Sequence, residues 1–402
     1  MPGKINMGGK AIKRYLIIGN GIAGTTAAEH IRKQDDKGAI TIITIEDLPF
    51  YYRIRLNDYI CGDIEEQDLV AKQPSWYTEN GISLRTATRI TGVIPEEMAV
   101  VTETGDTLGY DLLLLATGSQ SFVPPIAGID REGVFTLRTV ADARRIRTFS
   151  DSVNTAVLIG GGLLGLETGK ALRKKGKQVV VVEFLPRLLP RQLDERGAKR
   201  LRHLLEDMGF SFHIGATTNE IIGADMVEGV TLKDGKTIPA EMVIVSAGVR
   251  PNLELARLLD LKCDKGVLVD SALRTSRPEI FAAGDVTQFQ GMLYGIWPAA
   301  MEQGRAAGIN MAGGRIEYTG STMMTKLKVV GIDLASAGEI DAENRYESKV
   351  KETEKVYRKF VLDANRLIGC IMLGDTKGFQ AMTRAIAERT DLAEVEIEDV
   401  RL

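Results

Sequence analysis

Apolar residues in this chain gather in short runs, each bounded by glycine or charge. Tyr15-Leu16-Ile17-Ile18 has strand length and stops at Gly19. Residues 25–31 follow with Ala27, Ala28 and Ile31 at helical spacing, and residues 40–45 form a β-branched run that ends at Glu46. A hairpin turning at Gly105-Asp106 leads into Leu112-Leu113-Leu114-Leu115-Ala116, a buried strand that runs into Thr117-Gly118. The same order then returns. Residues 156–159 predict a strand, 166–175 a helix ended by Gly176, and 178–182 a strand closed by Glu183. A hairpin over 230–235 and a strand over 242–245 follow, running into Ala247-Gly248. This is an internal repeat on the scale of a domain.

The rest of the pattern sets the boundaries. The proline-containing stretch 122–128 separates the two repeats, and 137–146 predicts a helix with Asp142 and the arginines solvated. Ile280-Phe281-Ala282-Ala283-Gly284-Asp285 predicts a strand ended by Asp285, and an Ala/Gly-rich helix over 299–311 follows Trp297-Pro298. From 318 the character changes. Residues 329–332, 356–362 and 368–373 predict strands, 381–388 a helix, and the charge-dense 339–354 a solvated loop and strand edge. The fold class expected is α/β, with two Rossmann-like dinucleotide-binding domains and a small C-terminal α+β domain. The division expected is 1–120 with 249–317, then 121–248, then 318–402.

Both strand-to-helix joints carry one glycine pattern, Gly19-Asn20-Gly21-Ile22-Ala23-Gly24 and Gly160-Gly161-Gly162-Leu163-Leu164-Gly165. G-x-G-x-x-G between strand and helix, with an acid closing the next strand about twenty residues on, is the dinucleotide-binding fingerprint. The first glycine allows the tight turn, the second leaves room for a pyrophosphate, and the third lets helix and strand pack closely. The first-turn N–H groups of the helix face the phosphates, and Glu46 or Glu183 accepts from ribose hydroxyls. Two nucleotide sites follow. Glu183 would repel a 2′-phosphate and no arginine stands beside it, which favours NADH over NADPH at the second site.

Composition narrows the partners. A length of 402 residues corresponds to about two to three domains. The net charge of -3 argues against nucleic acid or an anionic membrane as the main partner. No apolar run reaches membrane-spanning length, and residues 1–14 are polar and basic without a signal-like apolar stretch, so the cytoplasm is the expected compartment. Cys61, Cys263 and Cys370 lie far apart, which excludes a sequence-local redox disulfide or cysteine metal cluster. His30, His203 and His213 show no metal-binding spacing, and no metal is expected. The aromatic and cationic segment 49–56 reads as a surface loop, or as a lid whose Arg53 or Arg55 reaches a phosphate. The basic run Arg173-Lys174-Lys175, with Lys177, reads as a solvated face or as a dock for an acidic carrier.

Taken together, the two fingerprints, Ala116-Thr117-Gly118 and Phe281-Ala282-Ala283-Gly284-Asp285 resemble the flavoprotein reductases with two dinucleotide-binding domains, over essentially the whole chain. Tyr52-Arg53-Ile54-Arg55-Leu56, Arg187-Leu188-Leu189-Pro190-Arg191-Gln192-Leu193-Asp194, Trp297-Pro298-Ala299 and Leu327-Lys328-Val329-Val330-Gly331-Ile332-Asp333 are similar to the NADH:rubredoxin reductases and to the flavin domain of assimilatory nitrite reductases. The resemblance implies that the first fingerprint holds FAD and the second NAD(H). The cofactor-binding residues it implies are Gly19, Gly21, Ile22, Ala23, Gly24, Glu46, Asp47, Arg53, Ile90, Thr117, Gly118, Asp285, Trp297, Gly160, Gly162, Leu164, Gly165, Glu183 and Gly248. It implies catalytic roles for Glu167, near nicotinamide and flavin, and for Lys328, at the flavin's pyrimidine end. Several relatives pair that acid with a lysine; here the matching position is Asp58. Paired cysteines are missing from the first helix, so the implied mechanism is flavin-only: hydride from NADH to flavin, then electrons to a small carrier such as rubredoxin. An NADH oxidase or peroxidase using Cys61, and a non-catalytic FAD-binding subunit, are the other readings. A monomer or homodimer is expected.

Overall fold

The computed structural model describes residues 12–321 and 324–391. Along the chain run β1 (Arg14–Ile18), α1 (Ile22–Gln34), β2 (Ala39–Ile43), α2 (Leu56–Cys61), β3 (Ile82–Arg85) and β4 (Leu112–Leu115). Next come α3 (Val140–Phe149), β5 (Thr155–Ile159), α4 (Leu163–Lys174), β6 (Gln178–Glu183), α5 (Glu195–Asp207), β7 (Phe210–Ile214) and β8 (Met242–Val245). The last group is β9 (Ile280–Ala282), α6 (Trp297–Met311), β10 (Met324–Val329), β11 (Ile332–Gly338), β12 (Glu347–Glu352), β13 (Tyr357–Asp363), β14 (Arg366–Leu373) and α7 (Phe379–Glu388). The chain forms two compact units. One takes residues up to 52 with 66–120 and 250–321; the other takes 53–65, 121–249 and the C-terminal part. Segment 53–65 and the small C-terminal domain therefore belong with the second repeat.

In the first unit, five parallel strands run in the order β9-β4-β1-β2-β3. Strands buried on both faces need continuous apolar runs, and Leu113, Leu114, Ile17 and Ile42 are fully buried. Helix α1 covers this sheet with Ala27, Ala28 and Ile31 inward, as their spacing predicts. Helix α6 lies directly on α1. A Cβ on Gly304 would stand 2.3 Å from the Ala23 carbonyl oxygen, and one on Gly308 2.5 Å from that of Ala27. Glycine is thus required on α6 because the two helix backbones touch.

The second unit repeats the order, with β7-β6-β5-β8 and the short strand Val134–Phe135, all parallel. Its C-terminal sheet is antiparallel, β10-β11-β14-β13-β12, with α7 packed on it. Across this unit runs a buried polar cluster. Asp194 caps α5 through the Gly197 N–H and accepts the Tyr357 hydroxyl at 2.6 Å. Lys359 Nζ lies 3.3 Å from Asp194 Oδ2 and donates to the Asp341 carbonyl at 2.7 Å.

Four local expectations differ. Strand β2 stops at Ile43, and Ile45, expected within it, is 58% exposed. The helix expected from 137 starts at Val140, where Thr139 and Asp142 form a capping box, so Asp142 is a capping group rather than a free solvated charge. Residues 329–332 are not one strand: Val330 and Gly331 have φ of +55° and +90° and turn β10 into β11. The charge-dense 339–354 is not wholly solvated, since Asp341 is 1% exposed beneath Lys359. No helix among the described residues is long and apolar enough to cross a membrane.

Candidate functional site

The first glycine loop joins β1 to α1. Gly19 has φ +113°, and a Cβ there would lie 2.1 Å from the Ala116 carbonyl oxygen. At Gly24 it would lie 2.0 Å from the Gly19 carbonyl oxygen. Gly21 differs. Its φ of -82° and ψ of -172° suit any residue, and nothing lies within 4 Å of its Cβ position. Two glycines are therefore demanded by the fold, and the middle one by space outside it. No side chain caps α1, whose first residues are Ile22 and Ala23, and an uncapped helix N-terminus of this kind favours an anion.

The second loop repeats this atom for atom. Gly160 has φ +115° against the Ser246 carbonyl, Gly165 packs on the Gly160 carbonyl, and Gly162 at φ -76°, ψ 174° has nothing within 4 Å. Gly248 also opens onto free space, and Leu164 is 38% exposed in the first turn of α4. The acids behave differently. Glu183, 7% exposed, accepts the Gly161 N–H at 2.6 Å and the Leu185 N–H at 2.7 Å, so it sits directly against its glycine loop. Glu46 accepts the Tyr51 hydroxyl, with Asp47 exposed beside it, while Asn20 of the first loop bonds the Tyr77 hydroxyl at 3.0 Å. Each loop has the features a dinucleotide cradle needs: an open middle glycine, an uncapped helix end, and an acid at or just past the end of the next strand.

The first unit gathers further candidates. Ile90 starts the strand Ile90–Ile94, near the end of β2 through the Thr88 N–H to Thr44 carbonyl bond. Thr117 and Asn252 exchange side-chain bonds with each other's carbonyls at 3.2 and 2.8 Å, and the Asn252 N–H donates to the Gly118 carbonyl. Asp285 lies three residues beyond β9 rather than at its end, and accepts the Ser119 hydroxyl at 2.7 Å. Trp297 opens α6, its ring 5.9 Å from those of Phe50 and Tyr52. Ser119, Asn252 and Gln303, which takes the Gly284 N–H, escaped the sequence reading. Their only signal was proximity to glycine motifs, and their partners are remote in sequence.

The second unit holds Arg53, whose guanidinium donates to the Arg138 carbonyl at 2.7 Å. Glu167, one turn into α4, accepts the Val330 N–H at 2.7 Å. Burial pushes its carboxyl up, and the Asp58 charge pushes the same way; the Val330 N–H and Lys170 oppose them. Asp58 itself pairs with Arg55 at 3.6 Å. Lys328 lies on β10 opposite Asp333, and its side chain lies outside the described residues. The Cys61 thiol donates to the Asp58 carbonyl, and burial pushes it up, the reverse of an activated thiolate. Part of the basic run is paired within its own unit. Lys174 pairs with Asp63, Lys175 with Asp151 at 2.8 Å, and Arg173 donates to the Lys177 carbonyl. Among the described residues no group of His, Cys, Asp and Glu is arranged to hold a metal ion.

The raised Glu167 carboxyl has a thermodynamic consequence. Folding favours its protonated form, so its contribution is most favourable below the ordinary value of 4.5 and is lost as pH rises through the folded value. Glu167→Gln should therefore raise the melting temperature at pH 7.5 and leave it nearly unchanged at pH 4. Equal shifts at both pH values, read by thermal denaturation, would refute this.

A family profile described as pyridine nucleotide-disulphide oxidoreductase matches residues 13–304, and one described as rubredoxin NAD+ reductase C-terminal domain matches 324–390. A nitrite reductase [NAD(P)H] of Bacillus subtilis is 35% identical over 95% of this chain and 48% of its own length. The chain spans about half the length, or less, of the first curated relatives it matches. The NADH-rubredoxin oxidoreductase of Clostridium acetobutylicum is 31% identical over 93% of this chain and 94% of its own. The solved covalent complex of putidaredoxin reductase with putidaredoxin aligns with a TM-score of 0.85 and 26% identity, over 95% of this chain and 94% of that one.

Proposed function

Since the chain belongs to the pyridine nucleotide-disulphide oxidoreductase family, we propose that it is an FAD-dependent NADH oxidoreductase that passes electrons to a small redox carrier protein such as rubredoxin. The observation that carries this reading is the doubled cradle, with Gly21 and Gly162 each open beside an uncapped helix end in separate parallel sheets. The first cradle takes FAD and the second NADH. FAD held there would supply the redox chemistry, as hydride acceptor from NADH and electron donor to the carrier. The chain's own residues bind and orient. Glu46 and Glu183 would take ribose hydroxyls, Asp285 would take the ribityl chain, and the N-terminus of α6 beside Trp297 would offer partial positive charge to the pyrimidine end. Arg53 and Lys328 are assigned to the flavin side. Cys61, Cys263 and Cys370 are free, so no step uses a disulfide. A protein acceptor is supported by the carrier named in the solved putidaredoxin reductase complex and by the C-terminal domain type.

Anaerobic stopped-flow mixing with NADH or NADPH tests the reading through the flavin absorbance band. NADH should bleach it fast and NADPH slowly. Glu183→Ala should narrow that preference by about tenfold or more, because a 2′-phosphate no longer meets a carboxylate. A yellow protein bleached by neither nucleotide would defeat the proposal.

A further inference from the structure

Val330 is in a conformation that its own side chain resists. It takes the first central position of a two-residue hairpin turn, where φ is +55°, and Gly331 follows at +90°. Asn, Asp or Gly normally fills that position, because a β-branched side chain collides with the backbone at positive φ. Val330 is 6% exposed, so it gains no relief by turning into water. Its N–H leaves the hairpin and donates to Glu167 Oε1, 163 residues earlier in the chain. Glu167 is itself held at a cost, half-buried and near the like charge of Asp58, with Lys170 of its own helix as the opposing cation. A disfavoured turn and a disfavoured carboxylate thus hold each other.

We propose that Glu167 is a positioning residue that acts through the Val330 N–H, holding the tip of the β10–β11 hairpin and thereby fixing the strand position of Lys328. Lys328 pairs with Asp333, next to the Val329–Ile332 pair that closes the turn. A turn that changes type moves the register of the pairs behind it, Lys328 first. The clasp stands on this geometry alone; its consequence for turnover rests on the redox function proposed above.

Hydrogen exchange across residues 324–338 of the FAD-loaded protein tests the clasp. Glu167→Ala should speed exchange of the hairpin ladder amides, not only that of residue 330, by about tenfold. Glu167→Gln keeps an acceptor oxygen and should exchange like the parent. Adding Val330→Gly to Glu167→Ala should restore slow exchange, since glycine adopts the turn without strain. Ladder exchange that is unchanged in Glu167→Ala overturns the proposal. In the same proteins, flavin bleaching by NADH should be slowed in the alanine variant and regained in the double variant. If the double variant recovers exchange but not bleaching, Glu167 meets the nicotinamide itself and the positioning role falls. If the parent does not bleach with NADH, the redox function fails and the exchange results alone decide the clasp.

Discussion

Gly21→Asp should give a protein that folds like the parent and carries no FAD. The backbone at Gly21 is ordinary extended chain, nothing stands within 4 Å of its Cβ position, and Asp is a favoured residue at a helix N-cap. Folding therefore loses nothing. The new carboxylate would face the pyrophosphate, and like charges brought together cost several kcal/mol, so FAD affinity should fall by about 100-fold or more. The purified variant should be colourless with an unchanged far-ultraviolet circular dichroism spectrum. Gly162→Asp is the matching experiment on the second loop. That protein should stay yellow and fail to bleach with NADH. Normal FAD content in the first variant, or normal bleaching in the second, would remove the assignment of the loop concerned. Gly19 and Gly24 cannot serve this purpose, because a Cβ there strikes backbone and damages the fold itself.

The second large effect is expected at Lys359. Its ammonium, 2% exposed, lies between Asp194 and Asp341, which are 5% and 1% exposed. Lys359→Ala leaves both carboxylates in the interior with no cation, and stranding a buried charge in this way costs about 3–5 kcal/mol. The Asp194 cap on α5 is weakened with it, since one carboxylate serves the Gly197 N–H, the Tyr357 hydroxyl and the ammonium. Urea denaturation followed by circular dichroism measures the loss; urea is chosen because guanidinium would screen the charges. A midpoint equal to the parent's would show that the carboxylates find other donors. Adding Asp194→Asn should recover part of the loss by removing one of the stranded charges.

These two residues mark how far the sequence could be read. Gly21 was legible: a glycine between strand and helix, with an acid at the end of the next strand, has one common use. Lys359 was not. It sits in a run, Val356 to Leu362, that reads as a strand, and nothing nearby in sequence names its partners. The segment holding Asp341 looked like a solvated loop because charge density is the only local signal it offers. Likewise Ser119 and Asn252 carried no mark of their bonds to Asp285 and Thr117. The stretch 329–332 misled, because Val-Val-Gly-Ile has β propensity and the turn it makes is stabilised from outside.

Local chemistry decided both βαβ units, the placement of their glycines and the acid of each loop. Strand burial, helical spacing and glycine's access to positive φ act within a few residues, so the pattern suffices. The folded chain alone decided which groups meet across long separations. Glu167 finds Val330, and Tyr357 finds Asp194, each 163 residues away. A buried carboxylate must find a donor, but many donors in the sequence would serve; only the packing of the C-terminal sheet in the second unit selects one.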